Sequence, residues 1–350
     1  MRLFFVVFIL LLFFSCDRYK DDGLHVTGKI GEILVVCENA IWQEEDTKEA
    51  LDSAFTRFLM PYFPDVPTFE LIHKTNKSFD GAIKRHRNVL FLNENTSLKL
   101  PCEVNRVTDG WADQQTIFEI NFQKKNDLIA FLKKPIIKLV HDQYAEEEWK
   151  RILAHLEEQE NEFTLNTIKE NFQIEIDLPE GSGIVTKRPN FYRIEFPPST
   201  RPIDFVNVKK QDLGNIWQGL MIYQYDFVDS SQFELENLLK ARDTMLMYNV
   251  PHETKGLYMG TQYNKIVYPE INWSTNAKET IQGVEMRGMF VFVGKPIHTT
   301  GGAFWAFHFL HPKTRKIICL SGYLDAPSTT TWIHFLRELQ AVWKSVRLYE

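Results

Sequence analysis

The sequence predicts an α+β protein. It reads as two mixed sheet-and-helix subdomains joined by a long helical segment, the C-terminal half mainly antiparallel sheet with a closing helix. Three observations carry this. Up to about residue 125, apolar runs alternate with helical stripes; from 126 to 171 the pattern is helical; from 172 onward two-residue alternation dominates. Alternation with few helices favours an antiparallel sheet covered on one face.

Taken in order, Ile33-Leu34-Val35-Val36-Cys37 and Val89-Leu90-Phe91-Leu92 are continuously apolar, as strands covered on both faces are. From Asp46 to Met60, Ala50, Leu51, Ala54, Phe55, Phe58 and Leu59 form a stripe of helical period, which Pro61, Pro64 and Pro67 stop. Phe79 to His86 reads as a short helix. Phe118, Ile120 and Phe122 alternate with Glu119 and Asn121, a half-exposed strand. In the helical segment, Pro135 kinks the helix or sets its first turn. Glu146-Glu147-Glu148 and Glu157-Glu158 sit among Trp149, Ile152, Leu153 and Leu156 and read as a solvated face.

Beyond residue 172, Phe172, Ile174, Ile176 and Leu178 alternate with polar residues, as do Tyr192, Ile194 and Phe196, and the run Met221, Tyr223, Tyr225 and Phe227. Ser231-Gln232-Phe233-Glu234 reads as a capping box opening a helix to about Tyr248. Strands follow at Val284 to Val293, Ala303 to Leu310 and Lys316 to Tyr323, the last two forming a hairpin. A final helix from Thr329 buries Trp332, Phe335, Leu336, Leu339, Val342, Trp343 and Val346. The domain reading is a signal at 1–15, a tether at 16–28, an N-terminal subdomain at 29–125, the bridging helical segment at 126–171 and a C-terminal subdomain at 172–350.

The chain has 350 residues, and 40 basic against 46 acidic side chains give a net charge of −6. That balance disfavours a protein that grips nucleic acid through phosphates. Without any Cys-x-x-Cys, zinc-ribbon and thioredoxin readings lack their basic unit. Cys37 and Cys319 lie in strand-like apolar runs, where cysteine acts as a small hydrophobe.

The N-terminus carries an address. Leu3 to Phe14 is an unbroken apolar run of twelve residues, too short for a membrane span of about 20 residues and the length of a signal-peptide core. It ends in Ser15-Cys16. A small residue before cysteine at that place resembles the bacterial lipobox, although Phe13 and Phe14 depart from its usual residues. In that class of signal the cysteine sulfur is diacylglycerylated, the peptide is cut before it, and the new amino group is acylated. Several acyl chains anchor firmly where one holds only marginally. The expected contact with the membrane is therefore through lipid on Cys16. An ordinary secretory signal, or a short uncleaved anchor, with Cys16 incidental is the simpler alternative. Lys20-Asp21-Asp22 is similar to a surface-export signal of such lipoproteins, and reads equally as a solvated tether.

Met286-Arg287-Gly288-Met289-Phe290, Thr300-Gly301-Gly302-Ala303-Phe304 and Gly322-Tyr323-Leu324-Asp325-Ala326-Pro327, in this order, resemble an uncharacterised family of Bacteroidetes lipoproteins catalogued only as a domain of unknown function. Gly31 to Val36 and Trp111-Ala112-Asp113-Gln114-Gln115 extend the likeness over most of the chain. The resemblance implies a lipid-anchored envelope protein and brings no catalytic residue with it.

The chain contains no His-Glu-x-x-His, Gly-x-Ser-x-Gly or phosphate-loop motif, and no motif calls for a cofactor or a metal. His308 reads as a wall of the sheet and His311 as part of a turn. Tyr258, Tyr263, Tyr268 and Trp273 read as core rather than a sugar platform. Asp325 before Ala326-Pro327 reads as a turn or helix-entry residue. The candidate ligand site is Arg287 with His298, Thr299, Thr300, Gly301 and Gly302, where paired glycines allow close approach beside hydroxyls and an imidazole. A hairpin connection whose glycines serve only its geometry is the plainer reading.

These readings favour a lipid-anchored cell-envelope protein, at the outer membrane, that binds a protein or polymer partner without catalysis. The alternative is a hydrolase-like envelope enzyme using Arg287 and residues 298–302. Anchoring predicts that Cys16→Ala protein leaves the membrane fraction on cell fractionation; stable retention of that variant contradicts it.

Overall fold

The computed structural model describes residues 25–107, 110–158, 161–197, 216–295, 300–327 and 331–349. The signal, most of the tether with Cys16, and His298 and Thr299 lie outside the described residues.

The first sheet has five strands: β1 (Glu32–Val36), β2 (Glu70–Lys74), β3 (Asn88–Glu94), β4 (Cys102–Val107) and β5 (Thr116–Phe122). Their order is β2-β1-β3-β5-β4, parallel throughout except β4, which runs antiparallel to β5. Helices α1 (Asn39–Trp42), α2 (Glu45–Phe55), α3 (Lys125–Leu132) and α4 (Pro135–Glu157) accompany it. On one face Ile33, Val35, Leu90, Leu92, Phe118 and Ile120 pack with Leu51 and Phe55 of α2, Leu128 of α3 and Tyr144 of α4. On the other, Leu34, Val36, Val89 and Ile117 meet Phe79. Two covered faces are why β1 and β3 read as unbroken apolar runs. The short helix expected near Phe79 is a 3-10 turn at Gly81–Arg85.

The helical segment is three helices rather than one. Pro135 stands in the first turn of α4, where its missing N–H leaves no bond unmade. Helix α3 joins the first core, and α4 joins both, with Tyr144 in the first and Trp149, Leu153 and Leu156 in the second. Helix α5 (Glu162–Phe172) belongs to the second, through Ile168 and Phe172.

The second sheet is antiparallel. It contains β7 (Gly183–Arg188), β8 (Phe191–Glu195), β9 (Trp217–Asp226), β10 (Leu257–Thr261), β11 (Glu270–Thr275), β12 (Gln282–Gly294), β13 (Gly301–Leu310) and β14 (Lys316–Asp325). The order is β10-β12-β13-β14-β9-β8-β7, and the long β12 also pairs with β11. Of the alternating stretch after Phe172, only β6 (Ile174–Glu175) is paired, with β15 (Arg347–Leu348). Phe172, Ile174, Ile176 and Leu178 are nevertheless all buried, so the alternation records burial of an extended segment.

Both faces of this sheet are covered, which corrects the one-sided expectation. Helix α7 (Ile333–Lys344) closes one face, packing Phe335, Leu336, Leu339 and Trp343 on Phe307, Phe309, Ile318 and Leu320. Helix α6 (Leu235–Asn249) lies on the other, with Leu238, Leu239 and Leu246 over Met221, Tyr223 and Phe304. The interiors of β13 and β14 are accordingly buried at every position. Helix α7 in turn packs against α4, and Leu59, Tyr62 and Val66 of the N-terminal half enter the same core. The Tyr62 hydroxyl donates to the Phe304 carbonyl at 3.0 Å.

Glu148 corrects the solvated-face reading of the acidic run on α4. Its carboxylate is fully buried. It accepts from Arg87 Nη1 at 2.8 Å, Arg151 Nη1 at 3.0 Å and Asn88 Nδ2 at 2.5 Å. Arg151 also donates to Gln114 O, Asn88 Oδ1 and Thr116 Oγ1. Burial alone would push the Glu148 carboxyl up, but Arg87, Arg151 and Asn88 outweigh it and hold it below the ordinary 4.5. Its contribution is therefore complete above pH 4.5 and is lost as the pH falls through the depressed folded value. Glu148→Ala should cost about 3–5 kcal/mol in urea unfolding, since it strands two buried guanidinium groups. Glu148→Gln should flatten the loss of stability below pH 4.5; an unchanged acid limb contradicts the network.

Candidate functional site

The floor of the candidate site is the end of the second sheet that α6 leaves bare. Asp229 caps a 3-10 turn at Ser230–Phe233, its carboxylate accepting from Ser231 N and Gln232 reaching back to Asp229 N. The capping residue is thus Asp229 rather than Ser231. Arg242, fully buried under α6, stacks on Phe304 at 3.8 Å and donates to Thr261 Oγ1 at 2.8 Å. Asp243 accepts from Thr261 N at 2.9 Å. These contacts hold α6 on β10, and its end at Asn249 exposes the sheet beyond.

There a cleft of about 750 Å³ opens between β8, β9, β14, β12 and the segment after α6. Alternation along each strand brings Arg193 and Glu195, Trp217, Tyr323 and Asp325, and Phe290 and Phe292 to one face. Met259, Val250 and Pro251 complete an apolar wall, and His252 and Glu253 stand at its rim. Gly219 has no side chain because there is no space for one: a Cβ would lie 2.1 Å from Ile194 O and 2.6 Å from Tyr323 Oη. The Tyr323 ring therefore lies across β9.

Tyr323 is only 5% exposed, and its hydroxyl has no protein hydrogen-bond partner among the described residues. Burial pushes its ionisation well above the ordinary range. Burial likewise pushes up the Asp325 carboxyl, which has no ion-pair partner among the described residues. Arg193 Nη2 and Glu195 Oε1 pair at 2.5 Å, so among the described residues the uncompensated groups of the cleft are Asp325 and Glu253. His252 Nδ1 accepts from Thr254 N at 2.9 Å. The cleft thus offers flat apolar surface, one hydroxyl donor and carboxylate acceptors. Among the described residues no serine or cysteine lines it.

The described residues among those nominated from sequence are not brought to this cleft. Arg287 lies on the opposite face of the sheet, toward α7, 5.6 Å over the Trp305 ring and 3.9 Å from Glu285. Gly301 and Gly302 open β13, where a Cβ would lie 2.2 Å from Phe290 O and 2.0 Å from Leu324 O respectively. Neighbouring strand backbones fill the space there. Thr300 is exposed just before β13. The structure therefore separates Arg287 from Thr300, Gly301 and Gly302.

Asp325 ends β14 and lines the cleft rather than opening a helix. His308 is fully buried, and burial pushes its imidazole down to about 3. His311 holds the hairpin turn, its Nδ1 accepting from Lys313 and Thr314 N–H and its Nε2 donating to Gln173 O. Trp273 is 66% exposed, and Tyr263 and Tyr268 lie at the surface with their hydroxyls on Asp243 and Glu236, so these aromatics are not core. Cys37, Cys102 and Cys319 are unpaired. Among the described residues no cluster of His, Cys, Asp and Glu could hold a metal ion, and no helix is long and apolar enough to cross a membrane.

Residues 161–345, more than half of the chain, match the domain of unknown function DUF4837. The chain belongs to the DUF4837 family. Residues 26–157 match a second domain of unknown function, DUF8532. The seam between the two falls between α4 and α5, and every residue of the cleft lies on the DUF4837 side. No curated protein matches. Two solved structures are similar to part of the chain. The Ran-binding protein Mog1p of Saccharomyces cerevisiae is 12% identical, over 51% of this chain and 91% of that one, with a TM-score of 0.29. A point mutant of Mog1 is 10% identical, over 51% and 92%, also at 0.29.

Gly219→Ala should lower stability by about 1–3 kcal/mol, the usual cost of overpacking, and should displace Tyr323. Urea unfolding with tyrosine fluorescence checks both; an unshifted midpoint means that the strand absorbs the methyl group.

Proposed function

We propose that this member of the DUF4837 family is a lipid-anchored protein of the cell envelope, held at the outer membrane through Cys16. Its cleft takes a hydroxyl-rich segment of an envelope polymer and does no covalent chemistry on it. The observation that carries this reading is that the Tyr323 hydroxyl and the Asp325 carboxyl both line the cleft, the carboxyl without an ion-pair partner among the described residues. A ligand hydroxyl offers Tyr323 an acceptor and Asp325 a donor. Trp217, 65% exposed at the rim, and Phe292 offer flat faces for a sugar ring. The lipid anchor keeps the cleft within reach of such a polymer.

One observation favours the enzyme reading. Burial pushes up the Asp325 carboxyl, as an acid catalyst of glycoside cleavage requires. Titration calorimetry with soluble peptidoglycan fragments separates the two. Binding is expected. Tyr323→Phe and Asp325→Asn should each weaken it about tenfold, equivalent to about 1.4 kcal/mol, at unchanged melting temperature. Binding that neither substitution affects overturns the reading. Fragment cleavage lost with Asp325→Asn replaces it with the enzyme.

A further inference from the structure

A second cavity, of about 400 Å³, lies on the other side of the sheet, between α4, α7 and residues 274–279. Arg337 forms part of its wall and is only 4% exposed. Its Nη1 donates to Gln340 Oε1 at 2.8 Å, its Nε has no partner, and no carboxylate lies within 4.0 Å among the described residues. Arg87 and Arg151 are as deeply buried, yet each is ion-paired to Glu148. A guanidinium carries five donors, and burying one without a counter-charge is strongly unfavourable. Of these three, Arg337 has no carboxylate at ion-pairing distance among the described residues.

Lys344, two helical turns further on, faces the same cavity. Its ammonium donates to Thr275 O at 2.6 Å and lies 5.4 Å over Trp149. The acidic groups nearby are engaged or distant. Asp142 pairs with Lys138 and His141, and Glu146 pairs with Lys150 at 2.7 Å. Glu279 is exposed at the rim. From the sheet side, Glu285 faces Arg287 at 3.9 Å. Burial pushes the Arg337 guanidinium down to about 10 against the opposing charges of Glu148, Glu285 and Asp142, and lowers Lys344 against those of Glu285, Glu146 and Glu279. Ser274 Oγ also accepts from Lys344 Nζ, at 3.3 Å, and the buried Asn276 amide is engaged with Thr280, Ile281 and Val346.

We infer that this cavity is an oxyanion site. A carboxylate or phosphate group enters between α4 and α7, takes a forked pair of hydrogen bonds from Arg337, and has Lys344 as its second cation. The anion sits between two helices distant in the chain, α4 and α7, which pack against each other. This site is separate from the cleft, so it stands whether or not the polymer reading does.

Titration calorimetry and thermal unfolding of the full chain, at constant ionic strength set with chloride, test it with inorganic phosphate and with succinate. Saturable binding at one site per chain is expected, with a melting temperature that rises with anion concentration. Response to phosphate alone assigns a phosphate site, and to succinate alone a carboxylate site. Arg337→Met should fold, because an apolar side chain replaces an unpaired buried charge, and should abolish binding. Arg337→Lys should bind about tenfold more weakly, having lost the fork but kept the charge. Lys344→Met should also weaken binding, and keeps the test decisive if Arg337→Met fails to fold. Arg193→Met, in the cleft, should bind the anion as the parent does. Absence of saturable binding of both anions overturns the inference, as does binding that survives Arg337→Met and Lys344→Met.

Discussion

The constraint on which the rest depends is that α7 is buried on two sides. One side lies so close to the sheet that Gly322 is required beneath it: a Cβ there would come within 2.7 Å of Leu339. Trp343 stacks on Phe307 at 4.7 Å between ring centres. The other side meets α4, and the first turn reaches the head of β1, where Ile333 covers Gly31. Each large apolar side chain so buried contributes about 1.5–3 kcal/mol. A helix holding that many of them ties both halves into one cooperative core, although two separate domain families describe them.

Burying a helix on both sides leaves its polar residues nowhere to go, and the molecule resolves this differently at different places. Around Glu148, one carboxylate is matched by two guanidinium groups and an amide, and α4 is locked to β3 and β5. Under α6, Arg242 is spread over the Phe304 face and bonded to Thr261. Arg337 has neither an ion pair nor a ring beneath it, only Gln340. These four buried arginines thus differ in how far carboxylates and rings meet them.

The cleft has a different origin. It exists because α6 stops at Asn249 while the strands beneath continue. Its floor is rigid, set by Gly219 and the Tyr323 ring, and its rim carries the exposed Trp217 and the charged side chains. A fixed floor with a polar rim suits recognition of one face of an extended ligand, and places that face on the side of the sheet away from the join with the first domain.

Much of the architecture was legible in the residues alone. Period-two and period-3.6 patterns located β12, β13, β14 and α7 to within a few residues, because burial repeats with the geometry of each element. The apolar runs at β1 and β3 announced strands covered on both faces. The expectation of a lipid address at Cys16 rests on the sequence alone. What the linear pattern could not carry was which polar residues face inward. Glu148 looks solvated beside Glu146 and Glu147 until Arg87, Asn88 and Arg151 arrive from other elements. Arg287 and Gly302 look adjacent in a motif, yet they serve opposite faces of the sheet. Tyr323, Asp325, Trp217 and Arg193 come from three strands and converge only through pairing register. Local periodicity encodes which face of an element is apolar, whereas the partner of a buried charge and the lining of a cavity are set by residues distant in the chain, which only the folded structure brings together.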